Sequence, residues 1–231
     1  MKITVIHGQS HNGSTCHIAR MLAKKLGGEV EEFFLPRDFG EFCIGCTNCF
    51  MKSEKLCPHY GKLSPITEAI DRADVLIFAS PVYVCHVTGA MKSLLDHYAY
   101  RWMNHRPEPS MFSKQAVCIS TAAGSGTKSA NKDIADSLFY WGVGKIYSFG
   151  CTVAAMDWAS VSSEKKAAAS KELDALARSI RSSCGRVSPS LKTKAFFSVI
   201  GKLHKGGKLI PNDREYWDKM GWLGSSRPWN K

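Results

Sequence analysis

ITVIHGQSHNGSTCHIAR, residues 3–20, passes from an apolar run through a polar loop into a helical pattern. Ile3, Val5 and Ile6 make a short β-branched stretch of the kind buried in a sheet. Ile18, Met21, Leu22 and Leu26 then recur at helical spacing, and Gly27-Gly28 ends the helix. Working outward, the same order returns four times. Apolar runs stand at VEEFFL (30–35), VLIFAS (75–80), AVCIST (116–121) and IYSFGC (146–151). A helix is expected from Ser64-Pro65, where serine can cap and proline suits the first turn, with Ile66, Ala69 and Ile70 facing inward. Another is expected from near Thr88, burying Met91, Leu94, Leu95, Tyr98 and Trp102. Two more follow, after Thr127 with Ile134, Leu138 and Trp141, and after Ser163 with Ala169, Leu173, Leu176, Ala177 and Ile180. Strands alternating with helices predict an α/β fold, a doubly wound five-stranded parallel sheet of order 2-1-3-4-5, over residues 1–184.

Beyond Cys184 the composition changes. Residues 185–231 carry ten basic side chains against three acidic ones, much of the chain's net charge of +11. Phe196, Ile200 and Leu203 lie at helical spacing beside Lys192, Lys194, Lys202 and Lys205, which predicts a basic amphipathic helix. Asn212 and Glu215 are expected to cap a short helix showing Tyr216, Trp217 and Met220. So many aromatics would form an exposed patch on a monomer, so this C-terminal helical extension is expected to pack in a homodimer. Nucleic acid is disfavoured as a partner, because no zinc-finger, helix-turn-helix or RNA-binding signature accompanies the charge. Contact with a membrane surface is the less favoured role of the extension, and no apolar run approaches the roughly 18 to 20 residues of a spanning helix. The strand-like ITVI follows Met1-Lys2 with no hydrophobic signal core, so nine cysteines point to a reducing, cytoplasmic setting rather than to disulfides.

In a doubly wound sheet, ligands bind outside the carboxyl ends of the strands where the order reverses, between the first and third. Three loops should meet there. GQSHNGST (8–15) enters a helix and offers hydroxyls, an amide and free backbone N–H groups to an anion. Plain N-capping by Ser14 or Thr15 would use only one of these groups. It matches neither GxxxxGK[ST] nor GxGxxG, so a monophosphate-bearing cofactor fits better than a triphosphate or a dinucleotide. SPVY (80–83) ends the third strand with a proline turn and an aromatic ring, and STAAGSGT (120–127) places glycines at 124 and 126 where backbone can approach a ligand. Together with GAMKSLLDH (89–97), these loops resemble the flavodoxin-like NAD(P)H-dependent FMN reductases over about residues 2–183. The resemblance implies FMN as cofactor and NAD(P)H as electron donor. It makes Ser10, Asn12, Gly13, Ser14 and Thr15 the phosphate loop, and sets Pro81, Val82, Tyr83, Ala123, Gly124 and Ser125 beside the flavin ring. No side chain then serves as a catalytic residue, since the flavin carries the electrons. His86 is read as a hydrogen-bonded structural histidine, and Lys92 with Asp96 as an i,i+4 ion pair.

CIGCTNCFMKSEKLC (43–57) follows the second strand and is expected near the flavin phosphate or ring edge. Cys43, Cys46, Cys49 and Cys57 are spaced C-x2-C-x2-C-x7-C, which suits a [4Fe-4S] cubane because short spacers let one loop reach three corners. Zinc usually takes two C-x2-C knuckles a dozen or more residues apart, and a redox pair needs no third cysteine. Cluster, zinc and free thiols all stay open on spacing alone. The pattern resembles the iron–sulfur flavoprotein branch of the same family, whose cysteines bind a [4Fe-4S] cluster. Cys16, Cys85, Cys118, Cys151 and Cys184 are read as small buried apolar residues. The expected activity is an FMN-dependent NAD(P)H oxidoreductase acting on a small quinone, nitro, azo or flavin acceptor. The alternative is a non-catalytic flavin and iron–sulfur electron carrier or redox sensor.

Overall fold

The structure, a computed structural model, describes residues 1–230. Its strands are β1 (Lys2–His7), β2 (Glu29–Phe34), β3 (Val75–Pro81), β4 (Gln115–Ala122) and β5 (Lys145–Thr152). All pair in parallel in the order β2-β1-β3-β4-β5, as predicted, and every boundary lies within a residue of its expected place. The helices are α1 (Ser14–Leu26), the single turn α2 (Asn48–Met51), α3 (Tyr60–Arg72), α4 (Gly89–Asp96), α5 (Thr127–Tyr140), α6 (Ser163–Ser183), α7 (Leu191–Lys205) and α8 (Pro211–Lys219).

Successive side chains of a strand point to opposite faces, and β3 divides its core accordingly. Leu76 and Phe78 meet α3, α4 and α5 through Ile66, Ile70, Met91, Leu94, Ile134 and Leu138. Val75, Ile77 and Ala79 meet α1 and α6 through Ile18, Leu22, Leu173 and Ile180. Both faces are covered, and β3 and β4 are accordingly buried at almost every position.

Several local expectations differ. α4 ends at Asp96, short of Tyr98 and Trp102, and Cys85 and Cys184 are exposed rather than buried. α3 begins at Tyr60, four residues ahead of Ser64, with Pro65 inside it. The proline lacks the N–H that would serve the Gly61 carbonyl, and Ser64 Oγ donates to that oxygen instead, at 3.4 Å. α8 is not opened by an Asn212–Glu215 capping pair. Pro211 stands in its first turn, and Asn212 Nδ2 donates to Met51 O at 2.5 Å. α7 is turned so that Phe197, not Phe196, joins Ile200 in the core.

The cause of that rotation is a third core. Phe197, Ile200, Trp217 and Trp222 close over Met103 and Phe112 from the long connection between α4 and β4. Trp217 stacks on Phe197 with ring centroids 4.4 Å apart, and its indole N–H donates to His105 O at 2.7 Å. The aromatics expected to form a dimer patch are thus covered within the chain. Among the described residues, no helix is long and apolar enough to cross a membrane.

Candidate flavin site and cysteine cavity

The carboxyl ends of β1, β3 and β4 bring their three loops together. α1 starts at Ser14 behind Gly13 with no side chain capping it, so the N–H groups of its first turn are free for an outside acceptor. Ser14 and Thr15 are nearly buried, and Thr15 Oγ1 lies 2.6 Å from Thr121 Oγ1, joining the helix start to the end of β4. Ser10 and Asn12 are engaged elsewhere: Ser10 Oγ donates to Leu35 O at 3.1 Å, and Asn12 Oδ1 accepts from Arg20 Nη1 at 3.2 Å. Gly13, Ser14 and Thr15 thus present the open start of α1, with Ser10 and Asn12 exposed beside it.

The second loop is held by Thr88, the N-cap of α4. Its N–H donates to Ser80 Oγ at 3.0 Å, its hydroxyl donates to Gly8 O at 2.7 Å, and the same oxygen accepts from Met91 N. Tyr83 pairs with His86 across a tight turn whose central residues, Val84 and Cys85, have φ of 50° and 66°. A β-branched residue is strained there, and Val84 is almost wholly exposed at the tip. Tyr83 OH accepts from Gln9 Nε2 at 2.8 Å, tying this turn to the first loop. His86 is hydrogen-bonded, 3.0 Å from Asp133 Oδ2, and Lys92 pairs with Asp96.

In the third loop Ala123, Gly124 and Ser125 are exposed, and Gly126 packs on the second loop at φ 99°. A Cβ at Gly126 would lie 2.7 Å from Val82 Cγ1 and 3.0 Å from Cys85 Cα. Glycine is needed there for both reasons.

Beneath the first loop lies a polar relay that the sequence reading missed. Arg20 Nε and Nη2 donate to Glu32 at 2.9 to 3.1 Å, and Glu32 Oε1 is 2.9 Å from His7 Nε2. Burial pushes the Glu32 carboxyl up, but hydrogen bonds from Arg20 and His7 outweigh it and hold the group below the usual carboxylate range. Burial pushes His7 below the usual imidazole value against the pull of Glu32. Neutral His7 donates from Nε2, so its buried Nδ1 is an acceptor with no partner. His7, Gln9, Gly13, Thr15 and Pro81 line one cleft there. The unsatisfied N–H groups of the first turn of α1 suit a phosphate, the His7 Nδ1 lone pair suits a hydroxyl of the bound group, and with the glycine-containing third loop they fit a phosphate-bearing flavin.

The four cysteines of the 43–57 loop line a single cavity of about 120 Å³, walled by Phe50, Leu63 and Tyr100. Cys43 and Cys46 are exposed, Cys49 and Cys57 half-buried. Gly45 and Thr47, between the first three cysteines, have φ of 66° and 58°, and such alternation builds the N–H nests that suit iron–sulfur clusters. Burial pushes the Cys49 thiol up, and Cys43, Cys57 and Cys46 add to the shift by their proximity. Four thiols around one apolar hollow are a donor set that fits a cubane. The cavity sits at the far end of α4 from Thr88, one eight-residue helix or roughly 12 Å away. The loop is therefore not at the phosphate itself, because it runs down the α4 side before turning into α3.

The C-terminal extension secures this loop. Arg106 donates to Cys49 O through Nη2 and to Phe50 O at 3.4 Å through Nη1, which also reaches Asp213 Oδ1 at 2.5 Å. Asp213 Oδ2 lies 2.7 Å from His105 Nδ1, and the carboxylate is fully buried. Nothing in the spacing of these residues announces the contact, since Arg106 and Asp213 are 107 positions apart.

Loops gathered over the switch point of a parallel sheet, around an uncapped helix start, are the flavodoxin-like arrangement. Residues 1–149 match the family of NADPH-dependent FMN reductases, and the chain belongs to that family. It is thus an NAD(P)H-dependent flavin oxidoreductase. The chain is similar to an iron-sulfur flavoprotein of Archaeoglobus fulgidus, 26% identical over 85% of this chain and 86% of that one. It is similar as well to an iron-sulfur flavoprotein of Clostridioides difficile, 34% identical over 52% of this chain and 54% of the relative. Its fold is shared with NAD(P)H:quinone oxidoreductase from Methanothermobacter marburgensis, with a TM-score of 0.58 at 16% identity over 78% of this chain and 97% of that one.

Proposed function

We propose that the protein passes electrons from NAD(P)H to a small quinone, nitro, azo or flavin acceptor through FMN, with a [4Fe-4S] cluster on Cys43, Cys46, Cys49 and Cys57 as a relay. The first turn of α1, with Gly13, Ser14 and Thr15, holds the phosphate, and Ser10 and Asn12 flank it. Pro81, Val82 and Tyr83 run along the ring, and Ala123, Gly124 and Ser125 cover its far edge. FMN supplies the hydride and electron chemistry, and the protein's part is to bind, orient and exclude water. The observation that carries the cluster is the shared cavity of the four cysteines, one helix length, about 12 Å, from the Thr88 end of α4. Relatives that bear the name iron-sulfur flavoprotein support it.

A homodimer belongs to the same reading. Phe42, Ile44, Met51 and Leu56 are all more than half exposed around the cysteine loop, and a second copy would cover them. Protein purified without oxygen should show flavin bands with a brown shoulder, iron and sulfide near four per chain, and NAD(P)H oxidation with menadione. A yellow protein free of iron would remove the relay. Flavin and cluster without turnover would turn the reading to an electron carrier.

A further inference from the structure

We propose that Cys57, His59 and His97 form a mononuclear site for a divalent cation of the zinc class, filled in chains whose cysteine loop carries no cluster. Among the described residues, these three side chains are the set whose donor atoms all lie within 4.8 Å of one another. His59 Nδ1 is 2.9 Å from His97 Nε2. Two imidazole nitrogens on one tetrahedral ion, at 2.0 to 2.1 Å each, stand about 3.3 Å apart, and a thiolate sulfur stands about 3.6 Å from either. The histidine pair needs to open by only a few tenths of an ångström to admit the ion.

The surroundings prepare both rings. His97 is buried at the end of α4, its ring edge-on to Phe39 at 4.8 Å. Its Nδ1 is 2.8 Å from Ser93 O. A carbonyl only accepts, so Nδ1 carries the proton and the Nε2 lone pair points at His59. This is the outer-shell carbonyl contact by which proteins orient metal-binding imidazoles. Cys57 and His59 stand two residues apart on the turn that opens α3, so thiol and imidazole project from one rigid corner. All three residues line the cavity, which gives a water room at the fourth position.

Binding balances simply. The cation replaces the thiol proton of Cys57, which is released to solvent. His59 moves its proton from Nδ1 to Nε2, and no electron is transferred. The site does not rest on the flavin or cluster reading, although the shared Cys57 makes the two occupancies exclude each other.

Cobalt(II) is the probe. The full chain, stripped of iron with a chelator and with its thiols reduced, should bind one Co²⁺ and show tetrahedral visible bands with a single thiolate-to-metal band, all erased by added Zn²⁺. Cys57→Ser, His97→Ala and His59→Ala should each weaken Co²⁺ by more than about 100-fold, beyond the 10–100-fold typical of outer-shell changes. Cys43→Ser and Cys46→Ser should leave it unchanged. His59 is only half-buried, so His59→Ala tests the site even if His97→Ala fails to fold. His59→Ala should also take up iron and sulfide normally under anaerobic reconstitution, which separates this site from the cluster. No stoichiometric Co²⁺, or a complex that loses its bands with Cys43 or Cys46 but not with the histidines, would overturn the proposal.

Discussion

Removing the Asp213 carboxylate tests whether the C-terminal extension holds the cysteine loop. Asp213 is fully buried against Arg106 and His105, and Arg106 is only 12% exposed. Asp213→Ala leaves a buried guanidinium whose remaining partners are the Cys49 and Phe50 carbonyls and Glu54, 3.9 Å away. Breaking one side of a buried ion pair costs about 3–5 kcal/mol. At about 2–4 °C per kcal/mol for a chain of this size, Tm should fall by about 6–20 °C, the lower half being favoured because Glu54 remains. Cys49 should lose its protection at the same time and react with iodoacetamide nearly as fast as exposed Cys43, read peptide by peptide by mass spectrometry. Arg106→Met with Asp213→Leu should recover much of the lost stability, since no charge is then stranded. A Tm shift below about 2 °C with Cys49 still protected would refute the reasoning.

Gly126→Ala places a methyl group against Val82 and Cys85 in left-handed backbone, and should cost about 1–3 kcal/mol and lower the flavin retained per chain; unchanged flavin content would count against the loop contact. Burial holds His7, His97 and His204 below the ordinary imidazole value of 6.5, so the unfolded chain takes up protons first. Their contribution is therefore complete above about pH 6.5 and is lost as pH falls through and below it, and urea unfolding should show lower stability at pH 5.5 than at 7.5. His204→Phe should shrink that difference; an identical pH slope would refute the assignment. Deleting residues 185–231 uncovers Met103 and Phe112 and strands Arg106, so the truncated chain should aggregate or unfold without cooperativity. A soluble, cooperatively folding remnant would show that the extension is dispensable.

The sheet was legible because its signals are local. VLIFAS lies between Asp74 and Pro81 and AVCIST starts after Gln115, and a strand buried on both faces has little freedom in where it ends. Thr88 was legible as a helix start for the same reason, and it caps α4 in the structure. Ser64-Pro65 misled because a proline can stand inside a helix when a nearby hydroxyl takes over the orphaned carbonyl, a compensation with no periodic trace. In α7, Phe196 and Phe197 are adjacent, and only the placement of Trp217 and Phe112 decides which faces inward. The cysteine spacing was plain, whereas His97, Arg106 and Asp213 reach that loop through tertiary contacts from distant segments. The Arg20–Glu32–His7 relay joins a helix to two strands and was invisible for the same reason.

The clasp of Asp213, Arg106 and Asn212 on residues 49–51 also sets an order of events during synthesis. A ribosome releases the cysteine loop well before its ties, since Arg106 follows Cys49 by 57 positions and Asn212 follows Met51 by 161. The thiols of a growing chain therefore lack this clasp until residue 213 has emerged, and any metal that enters earlier meets a loop not yet held in its final shape.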